Sequence, residues 1–214
     1  MQSKIHIAVL VTLAGIMPAA CKFERTRTSE ETAAQTVTFN PDKMVADIWD
    51  AKVIPYLTAK AGDFKTVRDL ENSDVTAAGA RYGYKEKVGN SPWTFAVRIE
   101  GKITSSNTES RAATIDVDAD GDGNPDATVQ IGPAIRGTAL RDSLDFVSFN
   151  QFTNQIDFAQ FGKAFNIYAN KTLLAIPRGN LNGSMVKLIG TYQHGVSSGL
   201  PLVTPATLAI LAQK

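Results

Sequence analysis

Residues 93–103 read WTFAVRIEGKI, and from Phe95 onward their apolar residues recur every second position. Phe95, Val97, Ile99 and Ile103 fall on one face of an extended chain, with Arg98, Glu100 and Lys102 on the other. That period belongs to a strand with one buried face. Gly101 stands in the apolar register, where a bulge or bend is expected. The sequence downstream repeats the signal. Ala112 to Val117 and Ala127 to Ile131 read as a second and a third strand, and Gly132-Pro133 stops the third. Phe152 to Ala169 carries a broad apolar face at helical spacing, and Ser184 to Tyr192 and Leu202 to Leu211 return to strands. Three strands, a helix and two strands is the chain order of a five-stranded OB barrel, whose helix plugs one end. A long first strand broken by a glycine suits it, because that strand must bend to serve both sides. An open α+β sheet built from the same elements is the alternative. The expected class is therefore α+β, mainly β, with an OB-like barrel over 89–214.

Upstream of the barrel the period is helical. Asn40-Pro41-Asp42 combines an N-cap residue, a proline at the first helical position and an acid in the first turn. Val45, Ile48, Trp49 and Val53 then predict an amphipathic helix over 41–54, ended or kinked by Pro55. A second helical stretch is expected over 63–80, so residues 40–88 form a small helical part before the barrel. Residues 21–39 are polar and lack apolar periodicity, as in a tether.

The first twenty residues carry a targeting pattern: MQSK, the apolar run IHIAVLVTLAGIM, then PAA directly before Cys21, the sole cysteine. The run is short for a bilayer span, which takes ~20 residues. Cleavage before Cys21 and lipidation of that residue is the expectation, on the periplasmic side of a bacterial membrane; a plain secretory peptide or an uncleaved anchor is the alternative. With one cysteine, no intrachain disulfide forms. A net charge of +1 gives no reason to expect a nucleic-acid partner.

Residues 116–126, DVDADGDGNPD, hold five aspartates. Asp118, Asp120 and Asp122 with Gly123 and Asp126 follow D-x-D-x-D-G-x-x-D, and a second frame begins at Asp116. Neither frame has an acid at position 12, so a complete EF-hand is excluded. Asp116, Asp118, Asp120, Asp122, Asn124 and Asp126 are the candidate ligands for Ca2+; a hairpin tip that needs Asp and Gly for its turn is the alternative. GVSSG at 195–199 matches G-x-S-x-G with His194 beside it, yet it lies between two strands rather than before a helix, which argues against a nucleophile elbow at Ser197. No catalytic residue is assigned, and a non-enzymatic role is expected.

The polar run QIGPAIRGTALRD (130–142) followed by FNQFTNQIDF (149–158) spans the crossover from strand to helix. Arg136, Arg141, Asp142, Asn150, Asn154 and Gln155 either satisfy exposed backbone there or line a cleft for a carbohydrate or a protein, with Trp93, Tyr82 or Tyr84 as a stacking surface. The same run, with Asn166, GSMVKLIGTYQ and the closing LVTP, resembles the bacterial predicted periplasmic lipoproteins grouped as domain of unknown function 2291. The resemblance implies an exported lipoprotein that accompanies sugar ABC importers as an accessory component. It supplies no catalytic residues.

Overall fold

The structure, a computed structural model, describes residues 39–87 and 89–211. Helix α1 (Pro41–Ile48) starts where the sequence places it: the Asn40 side chain accepts the Lys43 N–H at 2.9 Å. Pro55 does not end the helical run. A π-helical turn, Trp49–Val53, leads directly into α2 (Ile54–Lys60). The Ile54 N–H bonds the Trp49 carbonyl five residues back, and this wider turn relieves the clash between a proline ring and the carbonyl four residues before it. The turn also keeps one face in contact with its neighbours. Val45, Trp49, Val53 and Leu57 recur every four residues, which drifts by about 40° per step in a regular α-helix; all four are buried.

The helix expected over 63–80 is two helices, α3 (Phe64–Ser73) and α4 (Val75–Tyr82). Asp74 separates them in extended geometry and caps the second by accepting the Thr76 and Ala77 N–H groups. Two-residue strands β1 (Gly62–Asp63) and β2 (Gly83–Tyr84) flank this pair.

The 14-residue β3 (Thr94–Asn107) organises the sheet. One edge pairs antiparallel with β6 (Met185–Gln193) along Thr94–Lys102. The other edge pairs first with β1 and β2, then with β4 (Thr114–Asp118) from Lys102 onward. β4 pairs antiparallel with β5 (Ala127–Gln130), β5 runs parallel to β7 (Leu202–Leu211), and β7 returns antiparallel to β6. The circuit β3-β4-β5-β7-β6-β3 is closed, so the open-sheet alternative fails and the five-stranded OB barrel stands. Gly101 is needed for close approach: a Cβ there would lie 2.2 Å from the Asp118 carbonyl oxygen. The bulge falls two residues later, between Ile103 and Ser105.

Between β5 and β6 come a one-turn helix α5 (Ala139–Asp142), a 3-10 turn at Phe149–Gln151 and α6 (Gln155–Leu173). Two apolar cores result. The barrel core holds Phe95, Ile103, Val117, Val129, Leu188 and Val203, and the end of α6 reaches it through Leu173. The second core lies where α1, α2, α5 and α6 cover the outside of β3 and β7. There the strand residues are Ala96 and Ala206, small enough for helices to dock closely, and Trp49 packs on Phe165 and Tyr168 with ring centres 5.9 and 4.9 Å away. Fully burying each such large apolar side chain contributes about 1.5–3 kcal/mol. No helix among the described residues is long and apolar enough to cross a membrane.

Candidate functional site

The crossover segment between β5 and α6 builds a polar node. Arg141 is almost buried, and its guanidinium has three sets of partners. Nε and Nη2 reach Asp142 Oδ1 at 2.7 and 2.6 Å, and Nη1 donates to the Phe158 carbonyl at 3.0 Å. The guanidinium carbon also sits 3.7 Å from the centre of the Phe158 ring. Gly162 leaves the room for this: a Cβ there would come within 2.7 Å of Arg141 Nη1. The other oxygen of Asp142 accepts the Thr138 hydroxyl at 2.5 Å and the Gln193 amide at 3.0 Å, tying α5 to the end of β6.

Above this node opens a cleft of about 570 Å³, whose walls include Tyr84, Phe149, Gln155 and Phe158. Arg141 and Asp142 neutralise each other there, Glu86 lines the cleft as a second carboxylate, and aromatic rings flank them. Burial, followed by the nearby carboxylates of Glu86 and Asp145, pushes the Tyr84 hydroxyl up, so it stays a neutral donor. Arg141, Asp142, Gln155 and Tyr84 therefore come together as the sequence proposes. The other residues assigned to this cleft do not. Arg136 lies in an adjoining groove of about 470 Å³, which shares Gln193 with the cleft. Asn154 caps α6, accepting the Asp157 N–H at 2.9 Å, and so serves the backbone. Trp93 packs against Gly79 of α4 beside the barrel core. Sequence reasoning missed Thr138, Phe149, Phe158 and Gln193. The phenylalanines carry a signal, an aromatic cluster inside 146–158, whereas nothing local marks Gln193 as the partner of Asp142.

The aspartate segment joins β4 to β5 as a hairpin tip. The two oxygens of Asp118 accept the Gly121 and Gly123 N–H groups at 2.6 and 2.9 Å, with both glycines at positive φ. Asp126 Oδ2 accepts the Ala119 and Asp120 N–H groups. One carboxylate oxygen from each of Asp118, Asp120 and Asp126 lies within 4.8 Å of the others. Oxygens bound to one calcium ion at ~2.3–2.6 Å stand up to about 5 Å apart, so the spacing fits. Lys65 Nζ lies 3.8 Å from Asp120 and shares that charge. Asp116 is not part of the group; it accepts the Thr128 hydroxyl at 2.7 Å on the barrel wall. Asp122 and Asn124 form their own turn, in which the Asn124 N–H holds the Asp122 carboxyl below its usual range.

Ser197 donates to the Leu200 carbonyl at 2.7 Å, and the chain continues into β7 rather than a helix. His194 is engaged elsewhere: its Nδ1 lies 2.6 Å from Glu71 Oε1.

A family profile described as "predicted periplasmic lipoprotein", domain of unknown function 2291, matches residues 8–209. The chain belongs to this family. It is a periplasmic lipoprotein, and Cys21 with the targeting segment lies outside the described residues. Among solved structures, the lipoprotein is similar to an OB-fold protein from Thermotoga maritima, at TM-score 0.61 and 17% identity, over 81% of this chain and 99% of that one. It is also similar, at TM-score 0.30 and 16% identity over 56% of this chain and 78% of that one, to an OBody bound to hen egg-white lysozyme. The first match shows the fold alone. No curated protein matches the lipoprotein.

Proposed function

We propose that the lipoprotein is a non-enzymatic binding module whose cleft over Arg141 and Asp142 takes a neutral, polyhydroxylated ligand of the sugar class, as an accessory to a sugar ABC importer. The observation that carries this reading is the pairing inside the cleft. The guanidinium and carboxylate lie 2.6 Å apart and neutralise each other, which leaves Glu86 as the one lining charge without an ion pair among the described residues, so the cleft does not favour an anion. It offers fixed donors and acceptors beside aromatic faces instead, and hydroxyl-rich rings need both kinds of surface. The cleft volume falls within the ~300–1,000 Å³ range of small-molecule sites. The non-enzymatic part is supported by the hydroxyl of Ser197 being committed to the Leu200 carbonyl. The importer association rests on the family resemblance.

Two experiments test the reading. A thermal-shift screen of neutral monosaccharides and polyols is expected to yield at least one stabilising ligand; a flat response across the panel contradicts ligand binding. Capture from detergent-solubilised membranes is expected to recover an ABC permease or its binding protein, and recovery of neither contradicts the association.

A second reading is favoured by the spacing of Asp118, Asp120 and Asp126: calcium clips the β4–β5 hairpin of an envelope interaction protein. Its mark is a rise in Tm with calcium that disappears in Asp120→Ala, since an ion that binds only the folded state stabilises it by mass action.

A further inference from the structure

The groove beside the cleft holds a cation with no ion pair among the described residues, and we infer that it binds an oxyanion group, a carboxylate or a phosphate, through Arg136. The argument begins at Gln130, a buried amide at the end of β5. Its Oε1 accepts the Arg136 N–H at 2.8 Å, and its Nε2 donates to the Arg136 carbonyl at 3.1 Å and to the Thr204 hydroxyl at 2.8 Å. A buried polar side chain thus clamps the Arg136 backbone from both sides and anchors it to β7. Gly137, at φ 78°, turns the chain immediately afterwards. The backbone of an exposed residue is held this firmly while its guanidinium makes no hydrogen bond or ion pair among the described residues.

The remaining lining supplies donors and no competing acid. Arg136 is the one charged residue among those lining the groove; Thr128, Gln193 and Ser197 line it too but already donate to Asp116, Asp142 and the Leu200 carbonyl, which leaves the hydroxyls of Thr204 and Ser198. Because the Thr204 oxygen accepts from Gln130, its proton is left to donate. The Ser198 hydroxyl has no partner among the described residues. A planar cationic fork with two hydroxyl donors beside it matches the geometry of carboxylate and phosphate oxygens. The groove also lies against the loop between the fourth and fifth barrel strands, a region that OB folds use for ligands.

This site does not depend on the sugar reading of the cleft: Gln193 borders both, but Arg136, Thr204 and Ser198 carry the one and Arg141, Asp142 and the aromatic walls the other. The test uses the full chain in detergent micelles, observed by two-dimensional amide NMR at constant ionic strength. Inorganic phosphate and acetate are titrated separately. The expected result is a saturable shift of the Arg136, Gly137 and Ser198 amides, weakened at least tenfold in Arg136→Gln, with Tm unchanged because the side chain is exposed. A response to phosphate alone assigns a phosphate site, to acetate alone a carboxylate site, and to both a general oxyanion site. Absence of saturation with either anion, or equal affinity in Arg136→Gln, overturns the inference.

Discussion

His194 Nδ1 lies 2.6 Å from Glu71 Oε1, although the two residues are 123 positions apart in the chain. The same buried carboxylate accepts the Tyr192 hydroxyl at 2.6 Å and pairs with Arg68. Glu71 therefore fastens α3 to the end of β6, and three polar groups depend on it. Glu71→Ala leaves all three without their acceptor. Arg68 and His194 are exposed enough to turn to water, whereas the buried Tyr192 hydroxyl is orphaned at a cost of about 1–3 kcal/mol, which in a chain of this size lowers Tm by roughly 2–12 °C. Calorimetric unfolding measures the loss; a drop of less than about 2 °C contradicts this role.

Alkaline stability follows from the tyrosines. Burial, with Asp145 next in importance, pushes the Tyr56 hydroxyl up to about 12, and burial with Glu71 raises Tyr192 as well. A tyrosine of the unfolded chain ionises near pH ~10. The folded state therefore holds these protons more tightly. Their contribution is fully present below pH ~10 and is lost as pH rises towards 12. Urea unfolding at pH 9 and pH 11 should show the decline, and Tyr56→Phe should reduce it. An equal decline in both proteins contradicts the role of Tyr56.

Gly101→Ala tests how the barrel is closed. The added Cβ would meet the Asp118 carbonyl oxygen, which is backbone and cannot swing away. Overpacking of this kind costs about 3 kcal/mol. Unfolding in urea should show that loss, and a variant as stable as wild type contradicts the close packing of β3 on β4.

At the hairpin tip, two substitutions are expected to differ in chelator. Asp118→Ala removes the acceptor of two backbone N–H groups, destabilises by about 2 kcal/mol in chelator and also loses the calcium-dependent rise in Tm. Asp120→Ala changes little in chelator and abolishes the calcium-dependent rise in Tm. If Asp118→Ala leaves Tm in chelator unchanged, the hairpin does not depend on these bonds.

The barrel was legible because each strand buries one face, so alternation such as that of Phe95, Val97 and Ile99 survives in a single sequence. The caps at Asn40 and Asp74 are local chemistry too, yet Asp74 reads equally well as a helix-interior acid until the backbone geometry at that position is known. Pro55 misled because a π turn is not written in any residue pattern. The cleft was half legible. Arg141 and Asp142 are adjacent in sequence and announce each other, whereas Gln193 reaches Asp142 from a strand 51 residues away. Proximity in sequence groups Arg136 with Arg141, but the chain between them turns at Gly137 and places the two side chains in different grooves. Glu71 gave no local warning, since a charged residue on an amphipathic helix is ordinarily exposed.

Calorimetric titration of a neutral monosaccharide into the lipoprotein and its Phe149→Ala variant tests the binding claim most directly. Phe149 is 39% exposed, so its removal leaves both cores intact while taking away one aromatic wall of the cleft. The predicted result is saturable binding that weakens about tenfold in Phe149→Ala, equivalent to ~1.4 kcal/mol, and is unchanged in Arg136→Gln. No heat from any sugar that stabilises the protein, or equal affinity in Phe149→Ala, would contradict it.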